Sequence, residues 1–250
     1  LILSEYDGIT DCIDLGTFTF NSPSYYFKND LMNNGLRNYT SKQRYGSNRW
    51  KDSDIRQWLN SDAPAVTNNQ TLSNWWKPLT AFAMPPSGRT LSGFLYGMSQ
   101  SVVQSIATAK IITAIPSLDR DGNETTDTTY DRVWLQSVTE VLGIQNMSVI
   151  EGQQLSYWVN TAATDRIKQI NGEACKWSLR SAESGGTGTH VYTITVAGNN
   201  SSGDSNAQYG VVPTFCIKQY DGMKPIISYK RKIYVNGTMI TSFKSKIKEG

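Results

Sequence analysis

Short runs of alternating apolar and polar residues dominate this chain, and helical spacing is confined to a few places. Leu15 to Phe20 alternates as a half-buried strand does. After Asp52 or Ser53, either able to cap a helix, Ile55, Trp58 and Leu59 fall at i, i+3, i+4, and Asn60-Ser61-Asp62 closes the helix. Leu91, Leu95, Met98, Val102 and Ile106 lie near one stripe and predict a second helix from about Ser92 to Thr108, weakened by Gly93 and Gly97. Lys110 to Ile115 reads as a strand and Ser117 to Asp131 as a polar loop. The short strand Val133-Trp134-Leu135 feeds into Ser137-Val138-Thr139-Glu140, a capping box whose brief helix ends at Gly143. Beyond residue 144 the pattern is β. Tyr157–Val159, Lys176–Arg180, Val191–Val196 and Val211–Ile217 are strand candidates, with glycine-rich loops at 183–189 and 198–209. Ile226–Val235 and Thr238–Ser242 flank Asn236-Gly237, a hairpin turn signal. Two main helices among short antiparallel strands and long loops predict an α+β fold rather than alternating βαβ units.

Composition sharpens this picture. Only 18% of the 250 residues are charged, so polarity is carried by Asn, Ser, Thr, Gln and 20 glycines. That mix suits turns and neutral hydrogen-bonding surfaces. Seven tryptophans and 13 tyrosines argue against disorder, and no apolar run is long enough to enter a bilayer. The net charge of +3 is unevenly placed: residues 218–250 hold eight of 24 basic and two of 21 acidic residues, a local balance of +6. A basic tail can meet nucleic acid or an acidic partner, but a lysine-guarded strand edge is the preferred account, and no nucleic-acid partner is expected. Cys12, Cys175 and Cys216 are odd in number and widely spaced, which predicts reduced, partly buried thiols. With no initiator Met and no signal peptide, the chain reads as a piece of something longer.

Catalytic signatures are missing. His190 is the single histidine, and no nucleophile elbow, P-loop, dinucleotide fingerprint or zinc-protease motif occurs. No catalytic residue is assigned and no cofactor is expected, apart from one calcium candidate. In Asp119-Arg120-Asp121-Gly122-Asn123-Glu124-Thr125 oxygen ligands alternate, so Asp119, Asp121, Asn123 and Asp127 could hold Ca²⁺. The order departs from an EF-hand, and a plain polar turn is the favoured reading of the run. Trp75, Trp76, Tyr157 and Trp158 could form a sugar-stacking platform, whereas Trp58, Trp134 and Trp177 read as core. The two glycine-rich loops have the composition of adaptable recognition loops as well as of ordinary surface. Their candidate ligand residues are Gly185, Thr187, His190, Asn199, Asn200, Asp204 and Tyr209.

Tyr45-Gly46-Ser47-Asn48-Arg49-Trp50, followed by Ser53-Asp54-Ile55-Arg56-Gln57-Trp58-Leu59-Asn60-Ser61, resembles the signature of an uncharacterised domain family of gut Firmicutes, their prophages and phages. Later pieces match in order. They are Pro85-Pro86, Gly93–Gly97, the Val133–Glu140 junction, Tyr157-Trp158, Lys176–Ala182 and Tyr209–Ile217. The resemblance covers about 43–217, preceded by a strand-and-loop segment (1–42) and followed by a basic hairpin extension (218–250). The order WSLRSA, strand, GVVPTF is also similar to the C-type-lectin-like fold of formylglycine-generating enzymes and phage tropism determinants. Cys216 stands alone where the enzymatic branch has a cysteine pair, which argues against oxidase activity. The resemblance implies a phage or prophage virion protein, assembled in the bacterial cytoplasm or displayed at the bacterial surface. It would be homo-oligomeric among other virion subunits and bind a host-surface glycan or protein. A polysaccharide hydrolase using an Asp/Glu pair and a purely structural subunit interface are the alternatives. Within this reading Trp177 and Leu179 pack a core, while Arg180 holds a neighbouring loop through bidentate hydrogen bonds.

Overall fold

A computed structural model of the chain describes residues 48–65, 91–116, 120, 123–184, 189–205, 207–218, 233–235 and 238–240. The elements are short and mixed, with antiparallel pairing throughout the named strands, as an α+β chain requires. Three α-helices are described: α1 (Asp54–Leu59), α2 (Gln100–Ser105) and α3 (Val138–Leu142). Ser53 caps α1, its hydroxyl accepting from the Arg56 amide, and Ile55, Trp58 and Leu59 are buried. α3 carries the complete capping box between Ser137 and Glu140, and Gly143 ends it at φ 71°.

The expected helix over 92–108 is largely replaced by other structure. Residues 93–95 turn their amides to the C-terminal end of α1: Gly93 to Ala63 O, Phe94 to Trp58 O and Leu95 to Ser61 O. Those donors are then unavailable to a helical ladder. Gly93 is required because a Cβ there would overlap the Ser61 carbonyl. Only six residues become α2, and the chain leaves it directly as β1 (Ile106–Ala107).

β2 (Ala109–Ala114) pairs with β3 (Thr126–Asp131), which falls inside the stretch expected to be loop. Strand alternation is present in β3, but inverted: Asp127, Thr129 and Asp131 face inward and Thr126, Thr128 and Tyr130 face out. A hydrophobicity pattern cannot register a strand whose buried face is polar. β4 (Trp134–Leu135) pairs with β10 (Pro213–Thr214), and β1 with β11 (Cys216–Ile217). The run 211–217, expected as one strand, is thus two dipeptide strands serving different partners. Tyr157–Val159 is likewise not a strand. Ser156–Trp158 forms a 3-10 turn, and the Trp158 indole donates to Gln136 Oε1 at 2.9 Å.

β5 (Lys168–Ile170) and β6 (Glu173–Cys175) form a hairpin around Asn171 and Gly172, both at positive φ. This is the same Asn-Gly signal as at 236–237. β7 (Trp177–Ala182), buried along its whole length, pairs with β8 (His190–Ile194), which pairs with β9 (Asn200–Asp204). β9 occupies part of the supposed loop 198–209. Two buried clusters make the core. One gathers Trp50, Trp58, Phe94, Trp134 and Val191, the other Val138, Trp158, Trp177, Leu179 and Val212. Trp58, Trp134 and Trp177 are core as expected. Cys175 is half-buried, but Cys216 is exposed.

Contacts divide the chain into two units, Leu1–Ile217 and Lys218–Gly250. In the second, β12 (Ile233–Val235) pairs with β13 (Thr238–Ile240), with Val235 opposite Thr238.

Candidate functional site

Most polar side chains singled out by sequence motifs are engaged in holding the fold. Asn48 donates to His190 O at 2.7 Å. Arg49 forms a bidentate pair with Asp127 (2.6 and 2.9 Å), and Lys51 approaches the same carboxylate at 3.6 Å. Asp131 accepts from the Trp50 indole (3.0 Å), from Arg56 Nε (2.7 Å) and from the Thr129 hydroxyl (2.7 Å). Asn60 Oδ1 accepts the amides of Arg132 and Val133. The tryptophan-rich signature therefore clamps α1 onto β3 and β4. Its polarity is architectural, because each inward donor needs a buried acceptor.

A second clamp lies under α3. The β7–β8 register breaks between Ser178 and Ala182, and there the Arg180 amide bonds Gln136 O instead. The irregularity delivers the Arg180 guanidinium to Glu140, at 2.5 and 3.0 Å, and to the carbonyls of Leu135 and Glu151. Ser181 donates to Glu151 and accepts the Val138 amide. Glu151 also accepts from Ala114 N and Asn146. Burial pushes the Glu151 carboxyl above its ordinary 4.5, while the Arg180 charge and the hydrogen bonds pull it back. The expected bidentate role of Arg180 is present, with a carboxylate of the capping box as its partner.

Polar side chains at the end of the β8–β9 hairpin stay partly exposed. His190 and Asp204 are cross-strand partners on β8 and β9, with Nε2 and Oδ1 3.1 Å apart and side chains 36% and 38% exposed. Tyr209 lies on the opposite face of the sheet, where the chain beside β7 is fixed. Gly210 N bonds Lys176 O and Ser178 N bonds Gly210 O, which sets Tyr209 next to Lys176. Lys176 Nζ lies 5.1 Å from the Tyr209 ring centroid and donates to Ser202 O at 3.0 Å. The phenol oxygen rests over Gly203, where any Cβ would overlap it. Desolvation and the nearby Asp204 charge push Tyr209 up to about 12, so it remains a hydroxyl donor. Desolvation lowers Lys176, opposed by Asp204.

Of the residues expected from sequence, His190 and Asp204 are thus paired on one face of the hairpin, and Tyr209 lies with Lys176 over Gly203 on the other. Asn199 and Asn200 are exposed at the other end of the same hairpin, roughly 13 Å away by strand rise. That tip is fastened: Arg166 Nε donates to Gly198 O, and a Cβ on Gly198 would overlap Ala163 O. Trp75, Trp76, Gly185 and Thr187 lie outside the described residues. Trp158 is buried, which removes it as a platform, whereas Tyr157 is half exposed. Lys176 carries a single sequence signal: just before β7, alternation turns it away from the face of Trp177.

For the calcium candidate, Asp119 and Asp121 lie outside the described residues, Asn123 is exposed and Asp127 is buried against Arg49. A carboxylate already neutralised by a guanidinium is a weak cation ligand. Among the described residues no three or more His, Cys, Asp or Glu side chains gather as a metal centre needs, and no described helix is long and apolar enough to cross a bilayer.

No curated protein and no solved structure matches the chain. Residues 25–219, from upstream of the Tyr45–Trp50 signature to just past β11, match a family described as a domain of unknown function. The chain belongs to that family, DUF6273.

Proposed function

We propose that this chain is a non-enzymatic recognition module of a phage or prophage particle, built on a C-type-lectin-like scaffold, that binds a host-surface glycan. The observation that carries the binding half is the polar end of the β8–β9 hairpin. It carries an imidazole and a carboxylate on one face (His190, Asp204) and an ammonium and a phenol on the other (Lys176, Tyr209), at the edge strand of a three-stranded sheet. Donors and acceptors held on a rigid sheet yet partly open suit a polyhydroxylated ligand. The particle location and the scaffold rest on the resemblance of the motif order. Multiple copies among other virion subunits follow from that location.

The test is binding of labelled protein to a glycan array and to intact Gram-positive cells, with K176A, D204A and Y209F in parallel. Wild-type binding that each substitution weakens supports the reading. Release of reducing ends from a bound polysaccharide, lost with a single carboxylate substitution, replaces it with a hydrolase. Absence of binding across the array and the cells overturns it.

A further inference from the structure

We infer that the outer edge of β3 is an interface at which two copies of this chain pair antiparallel about Thr128, extending the β2–β3 ribbon into a four-stranded sheet. A two-stranded ribbon by itself is marginal in water, and pairing identical edges about a two-fold axis closes both at once. Three observations carry this interface, and none of them depends on the recognition reading above.

The first is open hydrogen-bonding capacity. Ile115 N donates to Thr125 O, which continues the β2–β3 register and makes Thr113–Asp127, Ile111–Thr129 and Ala109–Asp131 the directly bonded pairs. Thr126, Thr128 and Tyr130 therefore direct their N–H and C=O groups away from β2. Among the described residues nothing donates to or accepts from those groups. Two other edges are partly occupied. Ala114 N on β2 donates to Glu151 Oε1. On β9, Ser202 O accepts from Lys176 and Asp204 O from the Ala207 amide. β3 has no lysine, proline or bulge of the kind that guards an exposed strand.

The second is the surface that pairing brings together. The outward side chains of β3 are Thr126, Thr128 and Tyr130, all uncharged, and Tyr130 is 68% exposed. The two carboxylates of the strand point inward, to Arg49 and Arg56. Two copies of this edge therefore meet without like charges facing each other along the strand.

The third is self-complementarity. With Thr128 on the two-fold axis, Tyr130 of one copy lies opposite Thr126 of the other, an aromatic against a β-branched side chain. Two residues beyond these, Arg132 comes opposite Glu124 at both ends of the interface. Glu124 is exposed, and Arg132 is half-buried with its guanidinium 3.3 Å from Asn60 O. The register that engages every outward group of β3 is thus also the one that pairs opposite charges.

The experiment is sedimentation velocity of the full chain over a dilution series, with a thermal melt on each variant to show that it folds. Wild type, T128P, E124R, R132E and the double exchange E124R/R132E are compared. T128P removes an outward amide that β2 does not use, so the edge loses its central donor while the ladder to β2 keeps its bonds. Support is a wild-type dimer that T128P abolishes, that E124R and R132E each weaken about tenfold through facing like charges, and that the double exchange restores. Where T128P does not fold, the charge-exchange set decides. A monomer throughout the series overturns the inference. So does a dimer that folded T128P leaves intact, or one that the double exchange fails to restore.

Discussion

Two polar clusters in this protein use nearly the same chemistry and differ in everything else. Under α3, Arg180, Glu140, Glu151, Ser137 and Ser181 are sealed from water, and their charges meet one another and the backbone. At the end of the β8–β9 hairpin, the His190–Asp204 pair on one face and Lys176 and Tyr209 on the other are half exposed. A buried ion pair tolerates the loss of neither partner, because the survivor is stranded in low dielectric. A half-exposed pair falls back on water. Charge type therefore says little about whether a residue serves the fold or a ligand. Burial and the number of partners decide.

The comparison predicts a graded set of outcomes. Arg180→Met strands Glu140 and should lower unfolding free energy by about 3–5 kcal/mol in denaturant titration. Adding Glu140→Gln should recover part of the loss, and no recovery would deny the coupling. Asp131→Ala removes the common acceptor of Trp50, Arg56 and Thr129, and is expected to cost about 2–3 kcal/mol.

Glu151→Gln should change a slope more than a level. The folded-state carboxyl sits above 4.5, so its contribution is fully present below that pH. It is lost as pH rises through the raised folded value. Stability of wild type relative to the variant should therefore decline with rising pH above about 4.5. Parallel profiles would contradict the buried assignment. The smallest effect is expected at the surface. Asp204→Ala and Tyr209→Phe should shift stability by no more than about 0.5 kcal/mol while weakening glycan binding. A loss of several kcal/mol would move this cluster into the architectural class.

Local signals were legible wherever one residue type has one physical use. The cap at Ser53, the capping box with its left-handed Gly143, and the Asn236-Gly237 hairpin all follow from short-range geometry. The core tryptophans follow from spacing. The segment over 92–99 misled because its glycines permit docking against α1 rather than helix. β3 was invisible because its inward residues are a threonine and two acids, and the acids become buried acceptors only when Arg49, Trp50 and Arg56 arrive from 75 or more positions away.

The candidate site shows the same division. His190, Asp204 and Tyr209 could be nominated from loop composition, and Lys176 could not. Residues 190 and 204 meet through the β8–β9 register, and residues 176 and 209 through the parallel bridge at Gly210. By itself the chain determined its caps, its turns, its indole-rich core and its family, since each depends on neighbours within a few residues or on motif order. Only tertiary structure decided which charges are buried acceptors and which stay half open, because burial is a property of what folds over a residue.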